Sequence, residues 1–303
     1  MAKRFSTEVL DLLDYHNIYT VSKRWFIFIP TVIFPVTFLY DAPFGRFSTP
    51  NSPLALDGIR SWIFMELISP LSFLLTTIIH PFSRNSLPLP TISSPIPAPQ
   101  TLLVGLYFAH YLNRAILRPS VPPPAHPRTP MSTTADFLAN AYNSPLFWAG
   151  LALWAIGFAG NIMHDEILLN IRRRATVKGK AKARSGVEHY SIPDGLLYRY
   201  ISYPNYFCEW IEWLGFALAA APPPDLNTVP AASAVLHAIS SRSIGAVGTL
   251  FVPFVDSVAP PWAFLAAEVL LMLPRAVRGH QWYLRRFGDA YPRERRIVVP
   301  FLL

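Results

Sequence analysis

The stretch PLFWAGLALWAIGFAGNIM, residues 145–163, carries no charged side chain. As a helix it would extend about 29 Å, close to the roughly 30 Å hydrocarbon core of a bilayer. No other feature restricts the fold as much, because several further apolar runs accompany it. They fall at about Trp25–Tyr40, with Pro30 and Pro35 expected to kink it, at about Ile59–Ile79, at about Thr101–Leu117, at about Tyr206–Ala221 and at about Trp262–Val277. A seventh segment, MSTTADFLANAYNS at 131–144, is short and polar for a span and would need shielding by protein.

Composition agrees. Charged residues make up 15% of the chain, against about 25% in ordinary soluble proteins. The expectation is an all-α, polytopic integral membrane protein with about seven transmembrane helices and no Rossmann domain. It is read as a single membrane domain over 1–303. Within it, 1–24 forms an N-terminal interfacial segment, suggested by the spacing of Phe5, Val9, Leu12 and Leu13. Proline-rich connections at 81–100 and 119–130 cannot continue helices. Residues 222–260 form a variable insert whose apolar part, Ile244–Val255, reads as a re-entrant or interfacial helix, with an eighth span as the competing reading.

Positive charge orients the chain. With 172–199 and the C-terminus in the cytosol, 20 of the 26 Lys and Arg residues fall on cytosolic flanks. The others are Lys3, Arg4, Lys23, Arg24, Arg84 and Arg242. The two basic clusters, 172–184 and 275–296, both flank apolar runs, so the net charge of +8 does not point to nucleic acid. The one cysteine, Cys208, excludes disulfide frameworks and cysteine-based zinc sites.

Polar residues inside apolar runs carry the functional signal. Glu66 lies mid-span, where an ionisable group costs roughly 2–3 kcal/mol or more and is usually functional or paired. Protonated, it would donate a hydrogen bond. Tyr107, Tyr111, Arg114 and Arg118 are spaced 4, 3 and 4, one helical stripe running toward the cytosol. A tyrosine hydroxyl suits polarising a carbonyl. In GNIMHDEILLNIRRR, residues 160–174, His164, Asp165 and Glu166 are consecutive. Consecutive helical residues do not share a face, so the triad is a poor metal site and no metal is expected. Asn161, Asp165 and Arg172 instead fall on one face, a set suited to a polar ligand such as a nucleotide. Asn205 and Glu209 are i,i+4 at the start of the sixth run, with Glu212 one turn further. Arg275, Arg278, His280, Tyr283 and Arg295 form a third cluster, and arginine suits bidentate phosphate contacts. No GxGxxG, GxxxxGK[ST] or GxSxG is present, so a nucleotide would bind without a Rossmann or P-loop domain.

These clusters, as GNIMHDEILLNIR, HYSIPDGLLYRYISYPNYFCEWIEWLGFALA and LPRAVRGHQWYLRRFGDAYPRERRIVVPFLL, resemble the steroid 5-alpha-reductase family. APFGR, WIFMEL and HYLNR also look like family motifs. The resemblance implies a seven-helix enzyme of the endoplasmic reticulum membrane, C-terminus cytosolic, whose C-terminal half, 145–303, binds NADPH. It implies reduction of the 4,5 double bond of a 3-oxo-Δ4 steroid, with Glu66 and Tyr111 binding the 3-oxo oxygen. It carries cofactor contacts onto Asn161, Asp165, Arg172, Tyr190, Asn205, Glu209, Arg275, Tyr283 and Arg295, with Trp62, Arg46 and Arg114 as further contributors. The chain departs from the familiar pattern at Met65, where Gln is usual, at Leu169, often Arg, and at Gly279, often His. The expected partners are a lipophilic substrate and membrane lipid, and the expected state is a monomer. The same fold also accommodates reduction of a polyprenal or long-chain enoyl-CoA. Intramembrane Glu and Arg alone would equally permit a non-catalytic lipid transporter.

Overall fold

A computed structural model describes residues 15–40, 64, 66–73, 99–117, 135–181, 191–241 and 243–303. The expectations for residues 1–14 and 41–63, which include Arg46 and Trp62, and for Tyr190, lie outside the described residues. Among the described residues the protein is all-α. The only strand-like pairing there is an isolated bridge between Ile201 and Arg296.

Among the described residues, two helices are long and apolar enough to cross a membrane, within Pro145–Arg174 and Pro260–Ala290. Helix α1, Tyr15–Thr37, contains both expected prolines. It buries Tyr19, Lys23 and Phe26 and leaves Val21, Trp25, Phe28, Ile29, Val32 and Val36 exposed. An apolar outer face of this kind suits lipid rather than water. Segment 66–73 is helical and lies inside the second expected span. Helix α2, Pro99–Tyr111, runs into a π-helical turn, Leu112–Leu117. Residues 135–144 do not form a continuous span. They hold a four-residue turn, Ala135–Leu138, and a 3-10 turn, Ala141–Asn143. This fits the polarity of the stretch, which offers too little apolar surface to pay for ordering a full helix.

Helix α3, Pro145–Ala181, packs along helix α4, Pro204–Ala220. Glycine makes the contact possible. A Cβ at Gly157 would stand 2.3 Å from the Glu212 nitrogen, and one at Gly215 would stand 2.4 Å from the Trp154 nitrogen. The two backbones therefore touch directly, as small residues allow between membrane helices. Helix α4 is buried on nearly every side, from Cys208 and Trp210 to Trp213 and Ala220.

Helices α5, Ala232–Ser240, and α6, Ile244–Ser257, form the insert. At about 21 Å, α6 is too short to cross the bilayer, so the eighth span is not supported. Its Asp256 accepts from Arg24 Nε at 3.0 Å and Arg24 Nη2 at 2.7 Å, while Lys23 Nζ donates to the Asp256 carbonyl at 2.9 Å. These contacts give Lys23 and Arg24, which run against the positive-inside pattern, a specific local partner. Helix α7, Pro260–Phe287, packs against α1 and α4. Beyond it the C-terminal segment returns to the start of α4, where Arg296 N–H donates to the Tyr200 carbonyl at 2.7 Å and Tyr203 N–H to the Ile297 carbonyl at 3.0 Å.

Substituting Gly157→Val should force α3 and α4 apart. The expected result is a loss of at least roughly 1–3 kcal/mol, typical of overpacking, read as a lower melting temperature in detergent. Arg24 holds the Asp256 carboxyl below the usual carboxylate range. The stabilisation it brings is full above the ordinary pKa of about 3.9 and is lost as pH falls through the lower folded value. Asp256→Asn should therefore melt below wild type at neutral pH, with the gap closing in strong acid.

Candidate active site

The centre of the site is Arg114, carried on the π turn that ends α2. π-Helical turns are rare and often occur at functional sites. Arg114 Nε donates to Glu66 Oε1 at 3.1 Å, and Nη1 pairs with Glu209 Oε1 at 2.7 Å. Glu209 Oε2 in turn accepts from Asn161 Nδ2 at 3.4 Å. One guanidinium thus ties segment 66–73 to α2 and α4, and the amide of Asn161 extends the chain to α3. Glu66 is 8% exposed and Glu209 3%. Carboxylates this deep are tolerated when a fixed cation and hydrogen bonds replace water.

Beside this network lies an aromatic wall. Tyr111 is buried, with its ring 4.8 Å from that of Tyr107, whose hydroxyl sits 2.6 Å from Ser69 Oγ. Ser69 follows Glu66 by three residues, so this hydrogen bond brings segment 66–73 against the Tyr107–Tyr111 wall. His110 Nδ1 donates to Glu212 Oε1 at 2.7 Å in full burial. That pair pins α2 to α4.

The face expected from Asn161, Asp165 and Arg172 is present. Asn161 reaches Glu209, and Asp165 Oδ1 accepts from Asn205 Nδ2 at 3.3 Å. Arg172 stands two turns further on, exposed. The four expected cofactor residues Asn161, Asp165, Asn205 and Glu209 therefore meet along one seam, bonded to one another. The neighbours His164 and Glu166 now have partners. Leu197 N–H donates to His164 Nε2 at 3.1 Å, which leaves the proton on Nδ1, 2.6 Å from the Gly160 carbonyl. His164 thus fastens the turn Leu196–Arg199 to α3. Glu166 forms an exposed pair with Arg173 at 2.6 Å.

The C-terminal cluster is more tightly packed than a ligand-lining reading anticipates. Arg295 Nη1 donates to the Pro193 carbonyl at 2.9 Å, and its guanidinium lies 5.3 Å from the centre of the Tyr291 ring. Tyr283 stacks on Tyr291 with centroids 5.3 Å apart. Ser202 Oγ lies 2.6 Å from both His280 Nδ1 and the Tyr291 hydroxyl, and burial pushes the pKa of that hydroxyl up. Gly279 has a clear reason to lack a side chain, since a Cβ there would fall 1.6 Å from the Tyr203 hydroxyl. Arg275 lies on α7, one turn before Gly279. Glu268, 5% exposed on α7, was missed. The signal was present, because an acid in AFLAAEVLLML poses the same question as Glu66.

The model of the 3-oxo-5-alpha-steroid 4-dehydrogenase family matches residues 131–226 and 248–303. A relative from Schizosaccharomyces pombe, "Uncharacterized protein C9.08c", is 31% identical over 303 aligned residues, covering 89% of this chain and 94% of that protein. The chain belongs to the 3-oxo-5-alpha-steroid 4-dehydrogenase family. Among its other relatives are the Bos taurus 3-oxo-5-alpha-steroid 4-dehydrogenase 1, 26% identical over 88% of this chain and 89% of that protein, and the Solanum lycopersicum steroid 5-alpha-reductase DET2, 27% identical over 91% and 94%. The family is one of oxidoreductases acting on CH–CH bonds. Its model covers α3, α4, α7 and the C-terminal segment, the elements that supply the seam and the C-terminal cluster.

Replacing Arg114 by Met should leave Glu66 and Glu209 buried without their shared cation. A loss of about 3–5 kcal/mol is expected, as for other broken buried pairs, measured by thermal unfolding in detergent. Arg114→Lys should recover part of it, since one ammonium cannot repeat the forked contact.

Proposed function

We propose that this protein is a membrane-embedded, NADPH-dependent reductase that transfers hydride to the β-carbon of a conjugated enone, the 4,5 double bond of a 3-oxo-Δ4 steroid. The observation that carries the reading is the buried Glu66–Arg114–Glu209 chain beside Tyr111. It sets hydrogen-bonding groups for a carbonyl at one end and the Asn161–Glu209 seam at the other. The printed names of the Bos taurus and Solanum lycopersicum relatives support a steroid substrate.

The residues fit the cofactor in chemistry. Exposed Arg172, Arg173 and Arg174 at the end of α3 offer guanidinium groups for phosphates at a polar mouth, and Arg275 offers another on α7. Asn161 and Asn205 offer amides for a carboxamide. The Nε of Arg295 and the Nε1 of Trp213 are buried donors without a protein partner. When bound, NADPH supplies the hydride. Tyr111 donates a hydrogen bond to the carbonyl oxygen, and Glu66 in its neutral form donates a second. Both draw electron density from the β-carbon and hold the resulting enolate in a water-poor pocket, where such donors count most. Arg114 fixes the orientation of Glu66 through Oε1. The α-carbon then takes a proton from solvent. The apolar substrate enters from lipid and the charged cofactor from the cytosol. On this reading the protein is a multi-pass monomer of the endoplasmic reticulum membrane with a cytosolic C-terminus.

Membranes holding the protein, NADPH and a 3-oxo-Δ4 steroid provide the test. Tyr111→Phe and Glu66→Gln should each lower kcat by roughly 10²–10³, as loss of one oxyanion donor does elsewhere. Full activity in the double variant would remove the mechanism. Turnover of a polyprenal or a long-chain enoyl-CoA in place of the steroid would keep the fold and change the substrate.

A further inference from the structure

Residues 298–303 form a hook whose apolar tip faces outward. Val298 N–H and Val299 N–H both donate to the main-chain oxygen of Leu303, at 2.8 and 2.7 Å, and Leu303 N–H donates to the Val299 carbonyl at 3.1 Å. The base of the hook is fixed, since Val298 is fully buried in the cluster that holds Tyr203, Trp210 and Tyr291. At the tip, Phe301 and Leu302 are 77% and 79% exposed. A loop closed by its own main chain keeps these side chains out of the core.

Backbone conformation marks the same place. Among the described residues, the non-glycine residues with positive φ are Leu196, at 48°, and Phe301, at 65°. That region is uncommon for a residue carrying a Cβ. Both hold large apolar side chains at the surface, and Tyr200 links them. Leu196 opens the turn Leu196–Arg199, and Tyr200 N–H donates to the Leu197 carbonyl at 2.9 Å. The Tyr200 ring, also exposed, lies 5.3 Å from that of Phe301. Two arginines flank Tyr200. Arg199 precedes it, and Arg296 N–H donates to its carbonyl. Both are exposed, and neither guanidinium has an ion-pair partner among the described residues.

The size, charge and place of this patch indicate what covers it. Leu196, Tyr200, Phe301 and Leu302 are few beside the roughly 20–30 residues a side of a stable protein interface. Two exposed guanidinium groups at the edge suit an anionic partner. Tyr200 stands four residues before Pro204, where α4 begins, and so lies at the membrane boundary on the side read above as cytosolic. Aromatic and aliphatic side chains backed by arginine are the chemistry that holds a protein to an anionic lipid surface. We infer that the hook and the turn Leu196–Arg199 form a docking patch for anionic phospholipid of the cytosolic leaflet. Phe301 and Leu302 sit among the acyl chains, and Arg199 and Arg296 meet headgroup phosphates. Tyr203 N–H donates to the Ile297 carbonyl, so a seated hook also steadies the start of α4, which carries Asn205.

The inference rests on the membrane orientation proposed above, and the test separates the two. Cys208 is buried, so a thiol introduced at the surface takes a nitrobenzoxadiazole label in the full-length chain. The labelled variants are Phe301→Cys, Leu302→Cys, Glu294→Cys and Ile156→Cys, one at a time. Each is placed in nanodiscs of phosphatidylcholine, with or without phosphatidylserine. Doxyl-labelled phosphatidylcholine quenches from the lipid and iodide from water. Labels at 301 and 302 should be quenched by the doxyl lipid, more strongly when phosphatidylserine is present. The exposed position of Glu294 should answer to iodide. Arg199→Gln combined with Arg296→Gln should remove the gain from phosphatidylserine. Labels at 301 and 302 that answer to iodide, or that both quenchers miss because protein covers them, would overturn the docking patch. Equal lipid quenching in the two compositions would overturn the anionic assignment. If Phe301→Cys fails to fold, Leu302→Cys decides. Ile156, 66% exposed on α3, should answer to the doxyl lipid throughout. Iodide quenching there would overturn the membrane reading together with this inference, whereas failure at 301 and 302 alone leaves that reading standing.

Discussion

The direct backbone contact between α3 and α4 is the constraint on which the site depends. Gly150 and Gly157 on one helix and Gly215 on the other leave no room for a Cβ. The contact sets the register of the two helices, which run antiparallel. Gly157 lies against Glu212, Asn161 against Glu209 and Asp165 against Asn205. A wider separation would place the amides beyond reach of the carboxylates, because hydrogen bonds weaken steeply past about 3.5 Å. The seam of polar residues is therefore a consequence of close packing between two otherwise apolar helices.

Upon this seam the protein loads buried charge. Arg114 reaches it from the π turn of α2 and draws Glu66 in from segment 66–73. No single helix owns the network, so each helix is held partly by a charge carried on another. His110 and Glu212 repeat the arrangement one layer away. Such pairs add less to stability than well-packed apolar residues would. Their value lies in fixing where a few polar groups stand inside an apolar body, which is what chemistry on a lipophilic substrate requires.

Much of this was legible from residues alone. Long apolar runs, prolines between them and acids within them pointed to an all-α membrane protein, and the helices at Pro145–Ala181, Pro204–Ala220 and Pro260–Phe287 fall where the runs do. The i,i+4 spacing of Asn161 with Asp165 and of Asn205 with Glu209 revealed the two polar faces. It did not reveal that the faces meet each other, since periodicity describes one helix at a time. Glu268 was passed over because no neighbour in its own stretch is polar. The stretch at 131–144 was read as a weak span, and its described part, 135–144, is broken turns, the outcome its polar residues favour.

By itself the amino-acid sequence determined the class of fold, the family and the residues able to bear charge in an apolar setting. Those properties follow from composition, local spacing and motif order, all of which are written along one chain. Only the tertiary structure decided the pairings: Arg114 with Glu66 and Glu209, Asp165 with Asn205, Arg24 with Asp256, and His164 as a tether rather than a ligand. The physical reason is that a buried charge finds its partner through space, across separations set by helix packing. Here that packing turns on a few glycines whose partners the linear order does not disclose.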